Sequence, residues 1–356
     1  TTLNGVQLSQ IKFNYQSNLI TAALLSTGEL VPIAVANKRF SRQSGNWSDP
    51  NTWTKVSGSA YSTTIPVDGD TVVIERGHTV TVDITNAACA TLDLGSTARD
   101  SSSGNLAFTT TGNPALTMSG RLQVGASGNS LRTGSVVSQN GSTLITKNIT
   151  IGGTSATPAT GNINMSNGGL IKTTGFSVGA GGGAWTPGNG TVELTSTNTL
   201  PASVVTSFNN LIVGAGTTTL ATNINCVSSN VNYLKVNDSA TLNLSTYKFA
   251  AQDSLIIFCG TVNGSSILGS DMLTLGSNVT VKNAATGNKS AIISCRIALG
   301  SSRIFDVEND GTDSVDLMVS NNVSGSACGI TKNGLGKLKL TGLNTYTGAT
   351  VINSGV

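Results

Sequence analysis

Short phrases of alternating apolar and polar residues return along most of the chain, and nothing else in the sequence limits the fold so strongly. TLDLG at 91–95, TLNLS at 241–245, LTLG at 273–276 and LKLTG at 338–342 are four versions of one phrase. Runs such as ALTM at 115, TLITKNITI at 143, TVEL at 191 and SLIIF at 254 lie between them, bounded by Gly, Asn, Ser or Asp. Alternation at period two places one set of side chains on a single side of an extended strand. No stretch sustains the i, i+3, i+4 apolar spacing of a helix, and Ile20 to Leu25 is too short to count. Near-identical phrases recurring at intervals of one or a few coils favour stacked coils over separate hairpins. The expected fold is all-β: a parallel β-helix (β-solenoid) rod, with Leu, Val and Ile stacked inside and Thr, Ser and Asn outside.

Three stretches divide the chain. Residues 1–43 carry Phe13, Tyr15 and LVPIAVA at 30–36 with few glycines, and read as an N-terminal capping or attachment segment. Open strand edges recruit neighbours, so this segment is also the candidate for end-to-end self-association. Residues 44–328 form the solenoid region, entered through SGNWSDPNTW at 44–53, whose Trp47 and Trp53 suit an aromatic lid better than a sugar platform. Beyond it, IPVDGDTVVIERGHTVTVD at 65–83 turns at Asp68-Gly69, with Val72 and Ile74 expected inward and Val73 and Glu75 outward. Lys38, Arg39 and Arg42, the densest basic cluster, read as linker. Residues 329–356 form the last unit.

Charge is sparse: 20 Lys and Arg against 17 Asp and Glu leave +3, with no basic stripe of the kind that binds nucleic acid. No apolar run reaches the roughly 18 residues of a membrane span. The polar start, TTLNGVQLSQ, fits either a cleaved secretion signal or removal of an initiator Met. Cys89, Cys226, Cys259, Cys295 and Cys328 are odd in number and contain no C-x-x-C pair, so they read as small buried hydrophobes.

Reactive chemistry is thin. DVENDGTDSVD at 306–316 is the richest acidic stretch; Asp306, Glu308 and Asp310 would share a face if extended, as a solvated turn, a calcium loop or a catalytic pair. The solvated turn is the plainest of these, so calcium is the one cofactor entertained and no catalytic residue is assigned. His78, the single histidine, sits in the RGHTV turn and reads as a turn residue. VGAGGGAW at 178–185 lacks the G-K-[ST] ending of a phosphate loop and reads as a flexible corner carrying Trp185.

The last unit carries the most specific pattern. In GITKNGLGKLKLTGLNTYTGATVINSG, residues 329–355, Lys332, Gly334, Gly336, Leu338, Leu340, Gly342, Asn344, Tyr346, Gly348 and Thr350 recur at alternate positions. This stretch resembles the passenger-associated β-strand repeat of bacterial autotransporters. Residues 44–83 and the TLNLS-type phrases are similar to β-solenoid modules of large secreted bacterial proteins and phage fibres. The resemblance implies a non-enzymatic, surface-exposed structural or adhesive rod, extracellular or at the cell surface, with cell-surface polysaccharide as a candidate ligand. Two alternatives stand beside it: a phage tail fibre, placed in a virion, and a carbohydrate-binding or carbohydrate-cleaving β-helix.

Overall fold

In the computed structural model the described residues are 7, 10–15, 18–24, 28–32, 38–58, 64–95, 102–226, 233–260, 262–284, 289–312 and 314–356. They form a parallel β-solenoid with three faces. On the first face one inward row can be followed from coil to coil by its pairing register. It runs Ala87, Leu116, Leu144, Ile171, Val192, Leu211, Leu234, Leu255, Val279, Phe305, Lys332 and Ile352. Its members from Ala87 to Lys332 are buried. Parallel pairing at about 4.8 Å per strand sets each side chain directly over its equivalent, so one alternating phrase per coil builds a continuous core.

The second face begins with Lys38–Ser41, which pairs parallel with Thr71–Ile74 and antiparallel with Trp53–Thr54. Its inward row runs Arg39, Val72, Leu92, Leu122, Ile149 and Phe176. Farther along, Thr218, Leu242, Ile267, Ile293, Val319 and Leu340 occupy the same kind of row. The nine-residue strands Thr143–Ile151 and Leu170–Val178 each serve the first two faces at once. The third face stacks Val80, Leu106, Val136, Ile163 and Trp185, then Ile224, Phe249, Leu273, Ile297 and Val323. Trp185 joins the two halves: it meets Phe176 and Phe208 edge-on at 5.4 and 6.0 Å, and its indole N–H donates to the Ser207 carbonyl at 2.6 Å.

At the start of the stack Trp47 and Trp53 are fully buried, edge to face at 5.0 Å, with the Trp53 indole donating to the Trp47 carbonyl at 2.9 Å. Neither ring leaves a face for a sugar. Lys12–Tyr15, Asn18–Leu24 and Leu30–Pro32 form a separate antiparallel three-stranded sheet.

Three local expectations are corrected. Lys38 and Arg39 belong to a core strand rather than a linker, and Arg39 is buried, its Nε 3.4 Å from a carboxylate oxygen of buried Asp70. Val73 and Glu75 are buried as well; the Ser57 hydroxyl, from the segment after Trp53, donates to the Glu75 carboxylate at 2.5 Å. VGAGGGAW turns a corner only at 179–182; Trp185 belongs to Gly183–Thr186, a strand of the third face.

Those glycines finish a ladder. Gly104, Gly134, Gly161 and Gly183 lie in register, and the corner leading to the first three passes through Gly95, Gly125 and Gly152 at φ of +101°, +85° and +85°. A Cβ on Gly134 would stand 2.1 Å from the Gly125 amide nitrogen, and one on Gly161 2.4 Å from the Val124 carbonyl oxygen. Backbone fills the space a side chain would need, so glycine is required here by close approach as well as by φ. We expect Gly134→Ala to lower stability by about 3 kcal/mol or more, and Ser135→Ala, half-buried beside it, by under about 1 kcal/mol. Paired thermal melts check this; equal losses would break the ladder assignment.

Candidate functional site

The titratable residues singled out by sequence are held in separate places. The His78 Nδ1 lies 3.0 Å from the Ser41 hydroxyl, which also accepts the Glu75 amide at 2.9 Å. Ser41 is fully buried, so its hydroxyl is closed to an incoming substrate and serves to tie the first coil to the turn. Burial holds the His78 pKa below its ordinary value, against the opposing hydrogen bond to Ser41. The unfolded chain therefore binds more protons than the folded one below about pH 6.5. Stability should fall as pH drops through that value toward the folded pKa, and His78→Gln should flatten this part of a melt-versus-pH curve.

The acidic stretch is split because its strand ends at Val307. Asp306 and Glu308 face outward, and the Glu308 carboxylate accepts the Asn283 amide at 3.0 Å with Lys282 Nζ at 3.7 Å. Asp310 turns inward and takes the Thr312 amide and hydroxyl at 2.8 and 2.6 Å. Asp316, fully buried, accepts the Asp310 and Lys337 amides at 2.9 and 2.6 Å. The shared face proposed for Asp306, Glu308 and Asp310 does not form; the chain leaves its extended course after Val307. Asp313 lies outside the described residues. Among the described residues no three of His, Cys, Asp and Glu converge as they would around a metal ion. Elsewhere carboxylates meet cations of neighbouring coils: Glu193 with Lys172 at 2.8 Å, Asp93 with Arg121 at 2.9 Å and Asp271 with Arg296 at 3.1 Å.

Cys89, Cys259, Cys295 and Cys328 are free and buried. Burial pushes the Cys259 and Cys295 thiols up to about 12 and Cys89 higher still, so these remain unreactive thiols near neutral pH. The Cys226 side chain lies outside the described residues.

In the last unit Leu338 and Leu340 pack on the core with Lys339 exposed between them, and Tyr346 also leans on the core. Gly334 takes φ +75°, while Gly336, Gly342 and Gly348 lie against backbone of the coil beneath. Asn344 Oδ1 accepts the Val323 amide at 3.1 Å, and the hydroxyls of Tyr346 and Thr350 meet at 2.7 Å. Lys332 is the surprise, because it occupies the inward row between Phe305 and Ile352 at 2% exposure. Its ammonium donates to the carbonyls of Asn333, Gly334 and Ser354 at 2.7, 2.8 and 3.2 Å. Burial pulls its pKa below the ordinary lysine value, and the carboxylates of Asp306 and Asp316 oppose the shift. Ser354 belongs to the coil above, so one amine fastens a corner to the next coil. Alternate spacing places Lys332 in phase with Leu338 and Leu340, the one sequence signal of its inward course.

Lys332→Met should leave these carbonyls without their donor and loosen the coil that carries them by roughly 1–3 kcal/mol. Hydrogen exchange at Thr350–Ile352 should speed up by the corresponding factor, while the central coils, stabilised by their own neighbours, keep their protection. Unchanged exchange would mean that the amine contributes nothing.

Compared with known proteins, residues 330–356 match the model of the passenger-associated-transport-repeat family. No curated protein and no solved structure matches the chain. The matched segment is the coil built around Lys332; it continues the first and second faces as paired strands, while over the third face residues 341–349 run without a strand, the Thr345 amide donating to the Val323 carbonyl at 2.8 Å. No helix among the described residues is long and apolar enough to cross a membrane.

Proposed function

We propose that the chain is a non-enzymatic rod displayed on the cell surface, extracellular in use, that carries and presents adhesive polar surface. The single observation that supports this most is the parallel stack running without a break into a passenger-type repeat coil. The dispersal of carboxylates onto neighbouring cations agrees with a scaffold: glycoside cleavage needs two carboxyl groups within about 5–10 Å across a cleft. Adhesion by such a rod comes from many weak polar contacts multiplied by repetition. Antibody labelling of intact cells tests display. Surface label supports the reading; label confined to virions would favour a tail fibre, for which four reduced, buried thiols also speak.

Self-association belongs to the same proposal and is assigned to residues 1–43. The separate sheet at Lys12–Pro32 has two edge strands, and such edges pair with other chains unless blocked. The informative truncation starts at Lys38, since removing Lys38–Ser41 would strip the first solenoid strand. Electron microscopy should show end-to-end assemblies of the intact chain and single rods of the truncated one. Single rods in both samples would end the proposal of self-association.

A further inference from the structure

Where the first face turns into the second, three successive coils leave a polar groove of about 360 Å³. Its outward row is Thr241, Ser266 and Ile292, in direct register, so two hydroxyls and one aliphatic side chain follow one another at the coil spacing of about 4.8 Å. Asn263 and Lys289 rise beside that row from the same corner. Its described residues are held by hydrogen bonds. The Ser239 amide and hydroxyl both donate to the Asn263 carbonyl at 3.1 Å, and Gly260 and Lys289 exchange backbone hydrogen bonds at 2.9 and 3.1 Å. Behind it the fully buried Ser265 hydroxyl donates to the Val236 and Asn237 carbonyls at 2.7 and 2.9 Å. Gly264 keeps the floor bare, since a Cβ there would stand 2.1 Å from the Ser290 carbonyl oxygen.

Two properties point to a class of ligand. The groove wall offers hydroxyl and amide groups at one-coil intervals with an aliphatic patch at one end, which suits a chain whose units alternate hydroxyl-bearing edges with C–H faces. Among its lining residues one cation, Lys289, is exposed, and among the described residues no carboxylate pairs with it. The nearest acid in sequence across the corner, Asp238, takes the Ser239 hydroxyl at 3.3 Å and does not line the groove. A single lysine is too little for a polymer with a phosphate at every unit, which needs several cations for appreciable affinity. It suits an occasional carboxylate. A second groove of about 270 Å³, lined by Asn140 to Thr143, Gly169, Leu170, Asn189 and Thr191, offers hydroxyl and amide groups without a cation.

We propose that the groove at Thr241, Asn263, Ser266, Lys289 and Ile292 binds an oligosaccharide bearing hexuronate units, with Lys289 on a carboxylate and the hydroxyls and Asn263 on the sugar edges. The proposal deepens the reading of the chain as an adhesive rod and names the ligand for one site on it.

The test is calorimetry on the whole chain, with tetragalacturonate as the acidic probe and maltotetraose as the uncharged one. The acidic tetrasaccharide should bind saturably, and Lys289→Ala should weaken it about tenfold, the loss of one charge-assisted contact. Asn263→Ala should weaken it severalfold, with melting of both variants unchanged, since both side chains are exposed. Binding of neither probe overturns the proposal. So does equal binding of the two, or acidic binding indifferent to both substitutions. Cell labelling separates this from the display reading: saccharide binding by a chain never found on a surface keeps the groove and removes the adhesive rod.

Discussion

Parallel register is the constraint from which the rest of this molecule follows. A parallel strand pairs at a fixed spacing, and its inward side chains therefore rest on the inward side chains of the coil beneath. A residue such as Leu255 is held between Leu234 and Val279 and has little to do with the far end of the rod. Stability is then a sum of neighbour terms, and a local defect stays local unless it breaks a corner. The same rule explains why the glycine ladder at Gly104, Gly134, Gly161 and Gly183 demands so much: there backbone stacks on backbone, and no side-chain rearrangement can make room.

Charged residues enter the inward rows at two places. Arg39 opens the second-face row, facing Asp70, and Lys332 stands next to last in the first-face row. An isolated buried charge costs several kcal/mol, so each survives through its partners: a carboxylate for Arg39, three backbone carbonyls for Lys332. The two solutions differ in kind. An ion pair fixes one residue against another, whereas an ammonium among carbonyls fixes chain direction, because those carbonyls point at it only when the corner at Asn333-Gly334 and the following coil are both in place. In the repeat pattern that lysine stands immediately before the glycine frame, and the frame supplies two properties it uses: φ +75° at Gly334 and bare backbone at Gly336 against the Glu308 carbonyl.

The phrases TLDLG, TLNLS, LTLG and LKLTG revealed strands, alternation and stacking before any coordinates, because period two is a local property that survives any register. What they could not reveal was which residue lies over which. Leu92 and Leu122, 30 residues apart, are stacked neighbours, and so are Val192 and Leu211, 19 apart. With coil length varying that widely, counting along the chain cannot place Gly134 over Gly104. Hydrophilic character misled in the same way at Arg39 and Glu75, whose burial depends on Asp70 and Ser57 rather than on their own pattern. At 306–310 the misstep was geometric: a shared face for three acids requires a straight strand, and the chain bends after Val307.

Varying coil length also decides where recognition can arise. Strands on the faces are tied to one register, so added residues go to the corners. Between first and second faces the chain takes 5 steps from Val236 to Thr241, 7 from Cys259 to Ser266, 8 from Asn283 to Ala291 and 10 from Val307 to Leu317, then 5 from Asn333 to Leu338. A corner longer than the one beneath must project past it, and projection beside a straight row of strands makes a groove. The groove at Thr241, Ser266 and Ile292 lies where this lengthening begins, and the corner that buries Asp310 and Asp316 lies where it is greatest. The corner directly above, in the Lys332 coil, is back to 5 steps, so the segment that matches the passenger-associated repeat returns the stack to its plain cross-section after a region of elaborated corners. Faces keep the rod standing, and corners are free to change what it touches.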